Sequence, residues 1–208
     1  GYFNGIFPPG KKDPVLAGTV LENMLNAHVE TYHLLKSIPG SEKVKIGLVK
    51  NIFQFDPLRR WHLLDWAFSK ILNDVYTNAP LEFLKTGKSS FYMPGMVDNE
   101  MLNPEAPGTL DFIGLNYYSR MHVKGRLNPE EPFVFDTRQQ DIMTDMGYPL
   151  YAEGFYRALK TISEVGVPIY VTENGLADDK DTIRPLFIER YLYACLLYTS
   201  DAADDLIG

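Results

Sequence analysis

From Pro14 to Lys36 the residues Ala17, Val20, Leu21, Met24, His28 and Leu35 recur at helical spacing, with Glu22, Asn26 and Glu30 elsewhere. Asp13 directly before Pro14 supplies a cap and a first-turn proline, so a helix is predicted to start there. His28 lies on the apolar stripe and is expected to be a hydrogen-bonded core histidine. Residues 45–49, Lys-Ile-Gly-Leu-Val, read as a buried strand. A second helical pattern over 58–73 carries Trp61, Leu64, Ala67, Phe68 and Leu72. Residues 89–107 mix polarity with several prolines and glycines and read as loop. Another strand is predicted over 111–118, followed by a long polar excursion over 119–148, a connection of the length that usually carries function. A helix over 149–165, with Phe155, Leu159 and Ile162 on one face, hands over at Gly166 to a short buried strand ending in Glu173. A last helix starts near Thr182. Strands alternating with long helices predict a parallel sheet with right-handed crossovers. No glycine-rich phosphate fingerprint follows any strand, which argues against a dinucleotide fold. Three strands are too few for a closed barrel, so the chain reads as part of a larger α/β architecture.

Composition narrows the partners. Of 208 residues 45% are hydrophobic and 23% charged, and no apolar run is long enough to cross a bilayer. The net charge of −7 comes without any basic stripe, so neither nucleic acid nor membrane is expected as a partner. The four histidines are scattered and the single cysteine offers no thiolate cluster, so no metal site is expected.

The candidate chemistry lies at two strand ends. In 168–175, Pro-Ile-Tyr-Val-Thr-Glu-Asn-Gly, a β-branched and aromatic run closes on a carboxylate with a turn behind it. Such acids sit where α/β barrels and open α/β sheets keep their active sites. A charged residue opening a solvated loop would give the same local pattern. On the preceding strand Asn116 and Tyr118 share one side while Tyr117 faces the other. Neighbouring parallel strands would bring that carboxamide and phenol near Glu173. A phenol donating to a carboxylate favours its charged form, as a nucleophile needs. Two residues that cap a strand and fill a core would look alike.

Four segments, taken together, resemble glycoside hydrolase family 1, the β-glucosidase family. Val171-Thr172-Glu173-Asn174-Gly175 resembles its nucleophile motif, and 111–118, Asp-Phe-Ile-Gly-Leu-Asn-Tyr-Tyr, its sixth-strand motif. Residues 1–10 are similar to the segment after its acid/base motif. Residues 146–151, Met-Gly-Tyr-Pro-Leu-Tyr, resemble the approach to the helix before the nucleophile strand, with Tyr148 where the family often has Trp. The segments stand in family order and span nearly all of 1–194. The resemblance implies an incomplete (β/α)₈ TIM barrel, roughly strands five to seven with their helices, from a retaining β-glycosidase. It implies Glu173 as nucleophile, Tyr118 as the residue that orients it, and Asn116 as part of the floor under the sugar. It implies a small β-glycoside or oligosaccharide as substrate and no cofactor. The partner acid/base carboxyl would lie on a strand before residue 1, absent from this chain. Glu153 and Glu164, on a helix outside the barrel, are poor substitutes for it. The 208-residue chain alone is therefore expected to be inactive. A silent sugar-binding relative, or a thioglucosidase in which the acid/base is replaced, stays open as an alternative.

Residues 195–205, Cys-Leu-Leu-Tyr-Thr-Ser-Asp-Ala-Ala-Asp-Asp, read as an in-frame translation of the adapter of transposase-based sequencing libraries. Residues 195–208, with the only cysteine, are thus expected to be foreign to the domain formed by 1–194.

Overall fold

The computed structural model describes Tyr2, Gly5 and residues 7–204. Residues 1, 3, 4 and 6 of the first family-like segment, and the last four of the adapter-like tail, lie outside the described residues. The helices are α1 (Pro14–Lys36), α2 (Leu63–Asn73), α3 (Ala79–Thr86), α4 (Ala152–Ser163) and α5 (Arg184–Asp204). The strands are β1 (Gly47–Pro57), β2 (Lys88–Met93), β3 (Val97–Leu102), β4 (Phe112–Gly125), β5 (Phe133–Asp136) and β6 (Ile169–Asn174). A π-helical turn, Asp74–Asn78, joins α2 to α3. The chain divides into two compact units: Gly1–Leu48 with Asp74–Ile113, and Val49–Asn73 with Gly114–Gly208.

In the first unit α1 starts where the sequence predicts. Asp13 Oδ1 accepts the Leu16 N–H at 3.0 Å, satisfying one of the free donors of the first turn. Its buried face is Gly18, Leu25 and Val29, offset from the predicted stripe, and Met24 is 66% exposed. The helix is apolar on more than one side, so spacing alone leaves the face open, and polar contacts select it. Asn99 Nδ2 donates to Glu22 at 3.2 Å, Asn103 Nδ2 to Asn26 at 2.8 Å, and Lys36 pairs with Asp111 at 2.7 Å. His28 is the hydrogen-bonded histidine expected, with Nε2 2.9 Å from the Thr109 carbonyl.

The segment 89–107, read as loop, contains the antiparallel hairpin β2–β3, with Met93 opposite Val97. Phe91 and Met93 are buried while Ser90 and Tyr92 are exposed, and Val97 and Met101 are buried while Asp98 and Glu100 are exposed. That is period-two alternation at its shortest, and the polar outward set and Pro94-Gly95 hid it. Helix α3, also unforeseen, has Pro80 in its first turn and Gly87 in left-handed conformation at its end.

In the second unit β4 is the hub of a four-stranded sheet: β1, β5 and β6 all pair with it. The described strands do not close into a barrel. The second strand runs to Gly125 rather than stopping at Tyr118, so 119–125 is sheet rather than excursion. There it pairs with β5 antiparallel, His122 opposite Asp136. Leu115 and Tyr117 alternate into the buried layer, and Phe155, Ala158, Leu159 and Ile162 of α4 are buried in the same unit. Gly154 is required by close approach, because a Cβ there would overlap the Tyr117 hydroxyl. Buried Asp65 fastens α2 to the end of β4, accepting the Arg59 N–H at 2.9 Å, its Nη2 at 2.6 Å, and the Gly125 N–H at 2.9 Å. Burial alone would raise the Asp65 carboxyl, but the Arg59 and Gly125 hydrogen bonds outweigh it and bring it down to about 2. Strand β6, expected to be buried, is exposed from Tyr170 to Asn174. Among the described residues it pairs with β4 alone, which leaves its other edge uncovered.

Candidate active site

Glu173 is the last residue but one of β6 and lies beside the middle of β4. The Tyr118 hydroxyl donates to Glu173 Oε2 at 2.8 Å. One step back, Thr172 Oγ1 donates to Asn116 Oδ1 at 2.6 Å. One step on, Asn174 Nδ2 donates to the Tyr117 carbonyl at 2.6 Å. These contacts join residues 172–174 of β6 to residues 116–118 of β4, two strands that pair in the sheet. The three predicted residues are thus brought together, Asn116 through Thr172 rather than through the carboxylate.

Close approach of the strands makes this possible. A Cβ on Gly114 would lie 2.8 Å from Val49 Cγ2 and 3.0 Å from Thr172 Oγ1, so only glycine leaves room beneath Asn116. Tyr117 points the other way, as alternation requires. It is buried, donates its hydroxyl to the Tyr151 carbonyl at 2.8 Å, and lies 5.5 Å from the Phe155 ring. The Tyr118 phenol is pushed above its ordinary value, first by its hydrogen bond to Glu173, then by burial and by the charge of that carboxylate. A phenol so held stays protonated and keeps donating. One carboxylate oxygen of Glu173, Oε2, is engaged by that phenol.

The loop that leaves Glu173 is held by backbone bonds. Asp145 Oδ2 accepts the Asp179 N–H at 2.6 Å, and the Asp145 N–H reaches the Ala177 carbonyl at 3.0 Å. Asp178 then accepts the Ile183 and Arg184 N–H groups at the start of α5. Tyr148 packs its ring 5.9 Å from Phe53.

The family follows from the chain-wide match. The sequence profile described as Glycosyl hydrolase family 1 matches residues 1–204. The chain belongs to that family. Within glycosyl hydrolase family 1, the beta-galactosidase of Pyrococcus woesei is 28% identical over 211 residues, covering 89% of this chain and 41% of its own length. Beta-glucosidase A of Thermotoga maritima is 30% identical over 196 residues, covering 86% and 41%. Among solved structures, the beta-glycosidase from Pyrococcus horikoshii superposes with a TM-score of 0.80 at 31% identity, covering 96% of this chain and 45% of that one. The chain therefore spans less than half the length of these relatives, and its open sheet is part of a family TIM barrel.

Glu153 lies in the first turn of α4 and Glu164 caps its far end, as placed from the sequence. Among the described residues no group of three or more His, Cys, Asp or Glu side chains is arranged to hold a metal ion. No described helix is long and apolar enough to cross a membrane. Thr172 and Asn174 were not singled out, although both stand inside the motif and strand alternation would have separated their directions. Tyr191, whose hydroxyl reaches the Tyr118 carbonyl, lies on a helix with no local signal of that contact.

Proposed function

We propose that this chain is the nucleophile-bearing part of a retaining β-glycosidase acting on small β-linked O-glycosides. Glu173 attacks the anomeric carbon, forming a carboxylate–carbon bond as the bond to the leaving oxygen breaks. A second carboxyl, outside this chain and about 5–5.5 Å away in enzymes of this type, protonates the leaving group and then activates water. Water displaces Glu173 and releases the sugar with its original configuration. Tyr118 orients the nucleophile and Asn116 contributes to the floor under the sugar. No metal or cofactor takes part.

The hydrogen bond from Tyr118 to Glu173 at 2.8 Å carries this reading, because it holds the carboxylate in one orientation. Family membership and relatives named for β-glucosides and β-galactosides support the substrate class. The test is to incubate the full-length protein with a 2-deoxy-2-fluoro-β-glucoside bearing a dinitrophenolate leaving group, then to map the labelled peptide by mass spectrometry. A single sugar adduct on the peptide holding Glu173, and its loss in Glu173→Gln, is the expected result. Hydrolysis that survives in Glu173→Gln would overturn the assignment. In the 208-residue chain alone neither adduct nor turnover is expected.

A further inference from the structure

The two residues that end the site-bearing half of β4 have both of their carbonyls held by side chains. Asn174, directly after Glu173, donates Nδ2 to the Tyr117 carbonyl at 2.6 Å. Tyr191, reaching across from α5, donates its hydroxyl to the Tyr118 carbonyl at 3.0 Å. The same hydroxyl accepts the Tyr151 N–H at 3.3 Å, so it has a donor on one side and an acceptor on the other. The ring of Tyr191 cannot swing away, because it is 3% exposed, with Phe187 at 4.2 Å, Phe155 at 5.5 Å and Tyr117 at 6.1 Å. Burial raises its phenol well above the ordinary range, so the hydroxyl keeps its proton and donates at any physiological pH.

We propose that Tyr191 and Asn174 are positioning residues: a two-point clamp on the Tyr117–Tyr118 backbone that sets where the Tyr118 phenol meets Glu173. The proposal rests on the glycosidase reading above. The physical case is one of leverage. The phenolic oxygen is the far end of a long side chain, so a small tilt of the peptide plane moves it enough to stretch a 2.8 Å bond. Asn174 ties the peptide plane before Tyr118 to the strand carrying the nucleophile. Tyr191 ties the plane after it to the packed aromatic layer of α4 and α5. Together they fix the phenol against the carboxylate instead of leaving that to side-chain rotation.

A double-mutant cycle in the full-length protein tests this. Tyr191→Phe keeps the ring and removes only the hydroxyl. It is expected to lower kcat/KM roughly threefold to tenfold when Tyr118 is present. In a Tyr118→Phe background the same change should cost less than about twofold, because the group being positioned is gone. Independently of activity, Tyr191→Phe should bring the Tyr118 titration down towards its ordinary value. ¹³C-labelled tyrosine spectra read this, the resonance being assigned by its loss in Tyr118→Phe. Equal losses in both backgrounds, or an unchanged Tyr118 titration, would overturn the clamp and leave Tyr191 as a packing residue. If Tyr191→Phe does not fold, Asn174→Ala is carried through the same cycle with the same expectations. If the wild-type protein hydrolyses no β-glycoside, the glycosidase reading fails, and the tyrosine titration still decides the clamp.

Discussion

Glu173 and Tyr118 show how much one hydrogen bond organises, and His122 shows the opposite situation in the same strand. His122 is 1% exposed, with Nε2 3.1 Å from Asp141 and Nδ1 buried without a partner among the described residues. Burial first, then the charges of Arg120 and Arg138, hold its imidazole below the ordinary value of 6.5 against the pull of Asp141. The folded state therefore prefers the neutral ring. Its contribution to stability is complete above pH 6.5 and is lost as pH falls below that through the lowered folded value. Urea unfolding of the full-length protein between pH 7.5 and 5 should show the midpoint falling, and His122→Gln should flatten that slope. At this scale the sequence was informative wherever chemistry and period coincided. Glu173 stands near the end of its strand in a motif, and alternation gave Asn116 and Tyr118 their common side although β4 continues past them. The polar partners of His122 and the reach of Tyr191 depend on residues 19 and 73 positions away, and no local pattern encodes such distances.

Elements were legible where their ends are chemically marked. Asp13-Pro14 fixed the start of α1 to the residue, while α4 and β6 were found with small shifts at their ends. What failed was amphipathic alternation too short to register, as in β2 and β3, and strand continuing beyond a motif, as in β4. The face of α1 was missed for a related reason: apolar residues on several sides leave the choice to the polar contacts at Asn99, Asn103 and Asp111. Tight packing between β4 and α4 carries its own test. Gly154→Ala would drive a methyl group into the Tyr117 hydroxyl, which is already committed to the Tyr151 carbonyl. We expect a loss of roughly 1–3 kcal/mol from this overpacking, read by urea unfolding of the full-length protein. The Tyr117–Tyr118 backbone should shift with it, so catalytic efficiency should fall alongside stability.

For the molecule as a whole, the open sheet matters most. Strand β6 presents Tyr170 at 58% and Val171 at 42% exposure, and its outer edge lacks a neighbour among the described strands. Unpaired edges with apolar side chains template association. The 208-residue chain, made alone, is expected to elute from size-exclusion chromatography as a heterogeneous, concentration-dependent species. A monodisperse monomer with a sharp unfolding transition would refute that expectation. The sequence anticipates an incomplete barrel from its three recognisable strands, although β2, β3 and β5 escape that count because they are short.

The carboxylate, the phenol that holds it, the carboxamide beside it and the clamp behind them all belong to one compact unit, 49–73 with 114–208. The contacts that hold these groups are therefore made within that one unit. Substitutions elsewhere in a complete barrel can retune which leaving group departs, or how it is assisted, while the attacking group keeps its aim. On the glycosidase reading, the bond-forming side of the reaction would then keep its geometry through its own internal wiring while the leaving-group side is altered.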